Sequence, residues 1–122
     1  MKVVITGASG QIGSNLGLYL QERGHRVLGI DKRANAWTSA FPTLIADLTI
    51  PPDRAGNAPL PREALEFAPD AIVHLAAWAK VHQLVKEPAK AFENVAMTFA
   101  ALELARLTKA PILFGSSREV YG

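Results

Sequence analysis

Three glycines stand at relative positions 1, 4 and 7 in Gly7-Ala8-Ser9-Gly10-Gln11-Ile12-Gly13, directly after a β-branched run and ahead of a segment with helical apolar spacing. In that setting the first glycine permits a tight turn, the second lets backbone approach a diphosphate, and the third allows close helix–strand packing. The helix start then offers unpaired N–H groups and the positive end of its dipole to phosphates. The motif points to a dinucleotide, with a merely tight turn as the alternative. Asp31 lies 18 residues past Gly13, close to the separation of about 20 expected for an acid that bonds the adenosine ribose hydroxyls. A carboxylate there repels a 2′-phosphate and favours NAD. Lys32 and Arg33 beside it are cations able to accommodate that phosphate, so NADP is not excluded. The alternative for Asp31 is a solvated turn residue.

Other reactive side chains form no comparable pattern. His74 and His82 are eight residues apart and His25 is distant, so no metal-ligand spacing emerges, and His74 reads as a hydrogen-bonded strand-end residue. Trp37 and Trp78 could offer stacking surfaces, although single tryptophans are more often packing residues. Lys80, Lys86 and Lys90 suggest a mildly basic, solvated helix face.

The elements that must position the glycine turn and Asp31 follow from apolar spacing. Residues 2–6 are β-branched without alternation, as in a strand buried on both faces. Ile12, Leu16 and Leu20 recur at helical spacing until Gly24, and residues 25–30 form a second strand ending at Asp31, completing a βαβ unit. Residues 32–43 read as a loop or one helical turn where a crossover helix would normally sit. Residues 43–46 form a third strand ending at Asp47. Four prolines and a glycine make 51–61 an irregular surface loop before a short helix at 62–67. Residues 71–75 form a fourth strand. The longest helix is expected over 89–108, with Phe92, Val95, Phe99, Leu102 and Leu107 as its apolar pattern. Residues 111–114 form a fifth strand, followed by Gly115-Ser116-Ser117.

Alternating strands and helices with apolar strands give a doubly wound α/β fold, a Rossmann-type parallel sheet of about five strands in one domain spanning 1–122. Right-handed crossovers would bring the glycine turn, Asp31, Asp47, His74 and Ser117 to the carboxyl edge of the sheet, where ligands bind.

Composition narrows the function classes. Thirteen Lys and Arg against eleven Asp and Glu leave a net charge of +2 over 122 residues, which indicates neither nucleic acid nor an anionic membrane as partner. The chain is 49% apolar and 20% charged, the balance of a folded globular protein. With no cysteine, disulfides, Cys-ligated metals and a Cys nucleophile are excluded. No apolar stretch suits a membrane helix or a signal peptide, so a cytoplasmic protein is expected.

Taken together, Thr6-Gly7-x-x-Gly10-x-x-Gly13, Asp31, Asp47-Leu48, His74-Leu75-Ala76-Ala77, Asn94-Val95-x-x-Thr98 and Ser116-Ser117-x-x-Val120-Tyr121-Gly122 resemble the extended short-chain dehydrogenase/reductases, specifically their NAD-dependent epimerase/dehydratase branch acting on nucleotide sugars. The resemblance runs over the whole chain. It implies that Gln11 and Ile12 meet the pyrophosphate through backbone amides and that Asp47 and Leu48 flank the adenine. It also implies that Leu75, Ala76 and Ala77 line the cofactor near the ribose and nicotinamide, and that Asn94 is the family's helix asparagine near the site. Ser117 matches the serine that bonds the reacting sugar oxygen and assists its proton transfer. In an intact relative the cycle oxidises a sugar hydroxyl, passing hydride to NAD, before epimerisation or elimination and return of the hydride.

Two departures stand out. The family usually has glycine two residues before the equivalent of Thr98 or adjacent to it, where this chain has Ala96 and Met97. Its catalytic Tyr-x-x-x-Lys would lie roughly 25 residues past the serine, as the resemblance implies, and Tyr121 is not that tyrosine. The later strands and the sugar-binding domain are absent from these residues as well. The chain alone is therefore expected to bind dinucleotide weakly, if at all, without turnover. A competing reading is a free-standing dinucleotide-binding or regulatory module that completes its sheet by forming a homo-oligomer, because the fifth strand would otherwise be a bare edge.

Overall fold

The computed structural model describes residues 1–117 and Tyr121. Its elements are β1 (Lys2–Thr6), α1 (Gln11–Glu22), β2 (Arg26–Asp31), β3 (Thr43–Ile45), α2 (Arg62–Glu66), β4 (Ala71–His74), α3 (Val81–Lys86), α4 (Lys90–Thr108) and β5 (Ile112–Phe114). The strands form one sheet in the order β3-β2-β1-β4-β5, and every neighbouring pair is parallel. The chain winds outward from β1 in both directions, so the strand order reverses there and a crevice opens at the carboxyl edge beside β1.

The apolar run of β1 divides between two cores. Val4 joins Leu28, Ile30, Leu48, Ile72 and the inner face of α4, whereas Val3 and Ile5 pack with Val27, Ala8 and Phe41 under α1. This two-sided burial is the physical reason for a strand with no polar alternation.

Residues 32–42 supply no crossover helix. Phe41 fills part of that place instead: its buried ring lies so close to α1 that a Cβ on Gly17 would stand 2.2 Å from Phe41 Cε1. The short helix α3 is an element that the apolar spacing did not predict.

The largest correction concerns α4. Four of the five residues of its expected apolar pattern face outward: Phe92 is 79% exposed, and Val95, Leu102 and Leu107 are at least half exposed, while Phe99 is partly buried. The face on the sheet is Met97, Ala100, Ala101, Leu104 and Ala105. Small alanines let the helix backbone approach Ile72 and Val4 closely, and the close-packed contact outweighs the larger side chains that cannot fit there.

Candidate functional site

At the end of β1 the chain turns through Gly7, whose φ of +72° is a left-handed conformation that favours glycine. The Gly7 amide donates to the Ile30 carbonyl at 2.9 Å, tying the turn to β2. A Cβ on Gly7 would lie 2.8 Å from the backbone of Leu75 and Ala76, so the loop also abuts the segment after β4. Gly13 permits a different approach from the one expected. Its missing Cβ makes room for Gly7 O at 2.3 Å and Ala8 Cα at 2.8 Å, so the contact is helix against turn and not helix against strand. Gly10 is the open position, where a Cβ would meet only Gly7 O, at 3.3 Å.

Gly10 is also the N-cap of α1, and the first i→i−4 bond runs from Ser14 N to Gly10 O at 2.9 Å. The amides of Gln11, Ile12 and Gly13 precede that ladder and have no carbonyl within the helix to bond. Ile12 is 70% exposed, so its side chain does not roof them over in the core. The arrangement suits an anion of diphosphate size laid against bare backbone.

The Asp31 carboxylate, only 9% exposed, holds the turn in place. Its Oδ2 accepts from Ser9 N at 3.0 Å and its Oδ1 from Arg33 N at 3.0 Å. Each oxygen retains a second lone pair for a ribose hydroxyl. Arg33 Nε stands 3.9 Å from Oδ1, beside the same carboxylate. Lys32 turns elsewhere, with its ammonium 3.9 Å from the centroid of the Trp78 ring.

Asn35 escaped notice in the sequence although it fastens this loop. Its amide Nδ2 donates to Ala8 O at 3.1 Å, where Ser14 Oγ also donates at 2.9 Å, and its Oδ1 accepts from Trp37 N and Thr38 N. The available signal was an asparagine in a polar stretch able to close its own turn.

On the other flank, His74, Leu75, Ala76, Ala77, Asn94, Thr98, Phe114 and Gly115 line an open cavity of about 110 Å³. Leu75, Ala76 and Ala77 thus form part of one wall of this cavity. Asn94 acts more specifically than expected. Its Oδ1 accepts from Trp78 N at 2.7 Å and its Nδ2 donates to Trp78 O at 3.3 Å, pinning the segment after β4 to α4. Burial holds the His74 imidazole below its ordinary pKa, so the ring is favoured neutral.

Asp47 sits past β3 and accepts from Thr49 Oγ1 at 2.6 Å and Thr49 N at 2.9 Å; these bonds hold its carboxyl below the usual range, with the charge of Lys32 a smaller contribution. Leu48 is 5% exposed and packs in the core, which leaves only its backbone to face an adenine. Ser117 is exposed at the same sheet edge beyond β5, while the cavity wall reaches only as far as Gly115. Val120 and Gly122 of the Val-Tyr-Gly segment lie outside the described residues.

The NAD dependent epimerase/dehydratase family matches residues 3–122. The chain belongs to that family. This epimerase/dehydratase chain is 33% identical over 128 residues to a UDP-glucose 4-epimerase of Neisseria meningitidis serogroup B, covering 99% of this chain and 38% of that protein. It is 30% identical over 129 residues to a UDP-glucose 4-epimerase of Klebsiella pneumoniae, covering all of this chain and 93% of the other. Among solved structures, the UDP-glucose-4-epimerase of Stenotrophomonas maltophila with bound NAD and formylated UDP-arabinopyranose superposes with a TM-score of 0.79 at 30% identity, covering all of this chain and 38% of that one. The family member thus spans well under half the length of the Neisseria relative and the Stenotrophomonas structure. Its parallel sheet is the Rossmann-type sheet of an epimerase/dehydratase.

Proposed function

We propose that this chain is the NAD-binding portion of a nucleotide-sugar epimerase or dehydratase. The observation that carries the reading is the open backbone at Gly10 beside the bare amides of Gln11, Ile12 and Gly13, with the Asp31 carboxylate at the end of the neighbouring strand. Those groups fit a dinucleotide: amides for the diphosphate, a carboxylate for the adenosine ribose, and the small side chains of Ala76 and Ala77 for a flat ring. The kinship with UDP-glucose 4-epimerases supports a nucleotide sugar as the substrate class of the longer protein. The NAD in the Stenotrophomonas structure supports NAD as the dinucleotide.

When bound, NAD supplies a hydride acceptor and donor. The chain's own residues orient it: Asp31 and the glycine turn hold one half, and residues 75–77, pinned by Asn94, border the other. Ser117 bonds the reacting sugar oxygen. Within residues 1–122, Tyr19 is followed four residues on by Arg23 and forms no Tyr-x-x-x-Lys pair. A serine whose pKa lies far above neutrality does not replace a phenol acid/base.

Titration with NAD and NADP while following thermal stability tests the reading, because a ligand that binds only the folded chain raises the midpoint. NAD raises it more than NADP, and Asp31→Ala removes that preference. No heat or midpoint shift with either nucleotide at about millimolar levels overturns the assignment.

Self-association is the second reading, favoured by exposed apolar surface. Leu113 of the edge strand is 67% exposed, and the outward stripe of α4 adds Phe92, Val95 and Leu102. A second copy of the chain covering these faces accounts for side chains that would otherwise meet water. No helix among the described residues is long and apolar enough to cross a membrane.

A further inference from the structure

The sheet order places β1 between β2 and β4, so a side-chain contact from the end of β2 to the end of β4 has to pass over the start of the glycine turn. Lys32 is the first residue after β2, and Trp78 comes four residues after β4. Their cation–π contact, 3.9 Å from ammonium to ring centroid, makes that crossing. At the usual strand spacing it bridges roughly 10 Å of sheet edge.

The indole is a fixed seat. Asn94 holds the Trp78 backbone through both its N–H and its carbonyl, Glu93 accepts from the indole N–H, and the Lys90 ammonium lies 4.3 Å from the ring centroid. Lys32 itself is exposed, and among the described residues it enters none of the ion pairs within 4.0 Å. An exposed ammonium on an aromatic face is weakly held, and a charge-assisted bond to a phosphate oxygen is stronger.

A dinucleotide reaching from Asp31 to residues 75–77 must carry its diphosphate across this same line. We infer that Lys32 is a diphosphate-binding residue parked on Trp78: entry of the dinucleotide transfers its ammonium from the indole face to a diphosphate oxygen, and Trp78 competes with the ligand for that charge. The inference rests on the dinucleotide reading and assigns Lys32 a role other than choosing between ribose and ribose phosphate.

The two partners therefore act with opposite sign. Lys32→Met weakens NAD binding about tenfold, as the loss of a charge-assisted bond requires, and Lys32→Arg restores most of it. Trp78→Leu removes the competitor and tightens binding roughly two- to fivefold. Calorimetric titration with NAD at low ionic strength measures all three. In a Trp37→Phe background, Trp78 emission changes on adding NAD to the unaltered site, and Lys32→Met abolishes that change. Equal affinity of Lys32→Met and the parent overturns the inference, as does weaker binding by a Trp78→Leu protein that retains the parent's thermal midpoint. Should Trp78→Leu fail to fold, the lysine pair and the emission signal still decide. No binding by the unaltered chain at about millimolar NAD overturns the dinucleotide reading itself, and this inference falls with it.

Discussion

Thr6 Oγ1 stands 2.7 Å from His74 Nδ1, and the two residues are register partners at the carboxyl ends of β1 and β4. The same hydroxyl oxygen lies 3.2 Å from Leu75 N and 3.3 Å from Ala76 N, which can only donate. With its lone pairs engaged by amides, Thr6 gives its proton to Nδ1, so His74 is the neutral Nε2–H tautomer. That hydrogen points toward Thr98 Oγ1 at 3.4 Å, and Thr98 in turn donates to Asn94 O at 3.0 Å. The network joins the ends of two strands to α4, directly beneath the wall formed by residues 75–77.

Thr6→Val keeps the shape and removes the hydroxyl. It leaves His74 Nδ1 and the Ala76 amide without their partner in a buried place, while Leu75 N keeps the Thr6 carbonyl at 3.1 Å, at a cost of about 1–3 kcal/mol, whereas Thr6→Ser retains most of the stability. Urea unfolding of the three proteins measures this, and a Thr6→Val protein as stable as the parent would refute the network.

His74 makes stability depend on pH in a stated direction. In the unfolded chain histidine takes up a proton near pH ~6.5, while in the folded chain burial lowers that value. Below about 6.5 the unfolded state binds more protons, so this contribution is complete above that pH and is lost as pH falls toward the folded value. Denaturation series between about pH 8 and 5 show the decline, and His74→Gln flattens it. Asp47, lowered by its bonds from Thr49, acts in a separate window: its contribution is present above about pH 4 and disappears under more acidic conditions.

The glycines separate folding from binding. Gly13→Ala drives a methyl group to 2.3 Å from Gly7 O, so the turn must shift and the thermal midpoint drops. Gly10→Ala meets only Gly7 O, at 3.3 Å, and folds with a small loss. Its methyl group occupies space where backbone would approach a diphosphate, and NAD affinity falls at least about tenfold. Circular dichroism melts paired with NAD titration check both; unimpaired NAD binding by Gly10→Ala would count against the proposed site.

The two faces of α4 respond differently to substitution. Leu104 is wholly buried, and Leu104→Ala costs about 2–5 kcal/mol. Phe92→Ser and Val95→Ser change monomer stability by no more than about 0.5 kcal/mol, because both side chains face outward. On the self-association reading they lower association, which sedimentation at several concentrations measures.

The site was legible wherever its chemistry is local. The glycine spacing, the strand before it and the helix after it are consecutive, and Asp31 ends the next strand, so one βαβ unit contains them all. Leu48 and Asn94 were harder: a side chain's role there depends on what lies opposite, and the sequence alone does not show that Leu48 faces the core or that Asn94 meets the Trp78 backbone. Asn35 was hidden because a polar loop residue carries no periodic signal.

By itself the sequence determined five apolar strands, the turn that bares the first amides of α1, and an acid at the neighbouring strand end, since each follows from short-range backbone sterics and apolar spacing. The tertiary structure alone decided which face of α4 is inside, because the helix has two apolar faces and only the alanine-rich one fits closely against the sheet. It also decided that Thr6 meets His74 and that Lys32 reaches Trp78. Those pairs are set by parallel register and strand order, which bring together residues 68 and 46 positions apart along the chain.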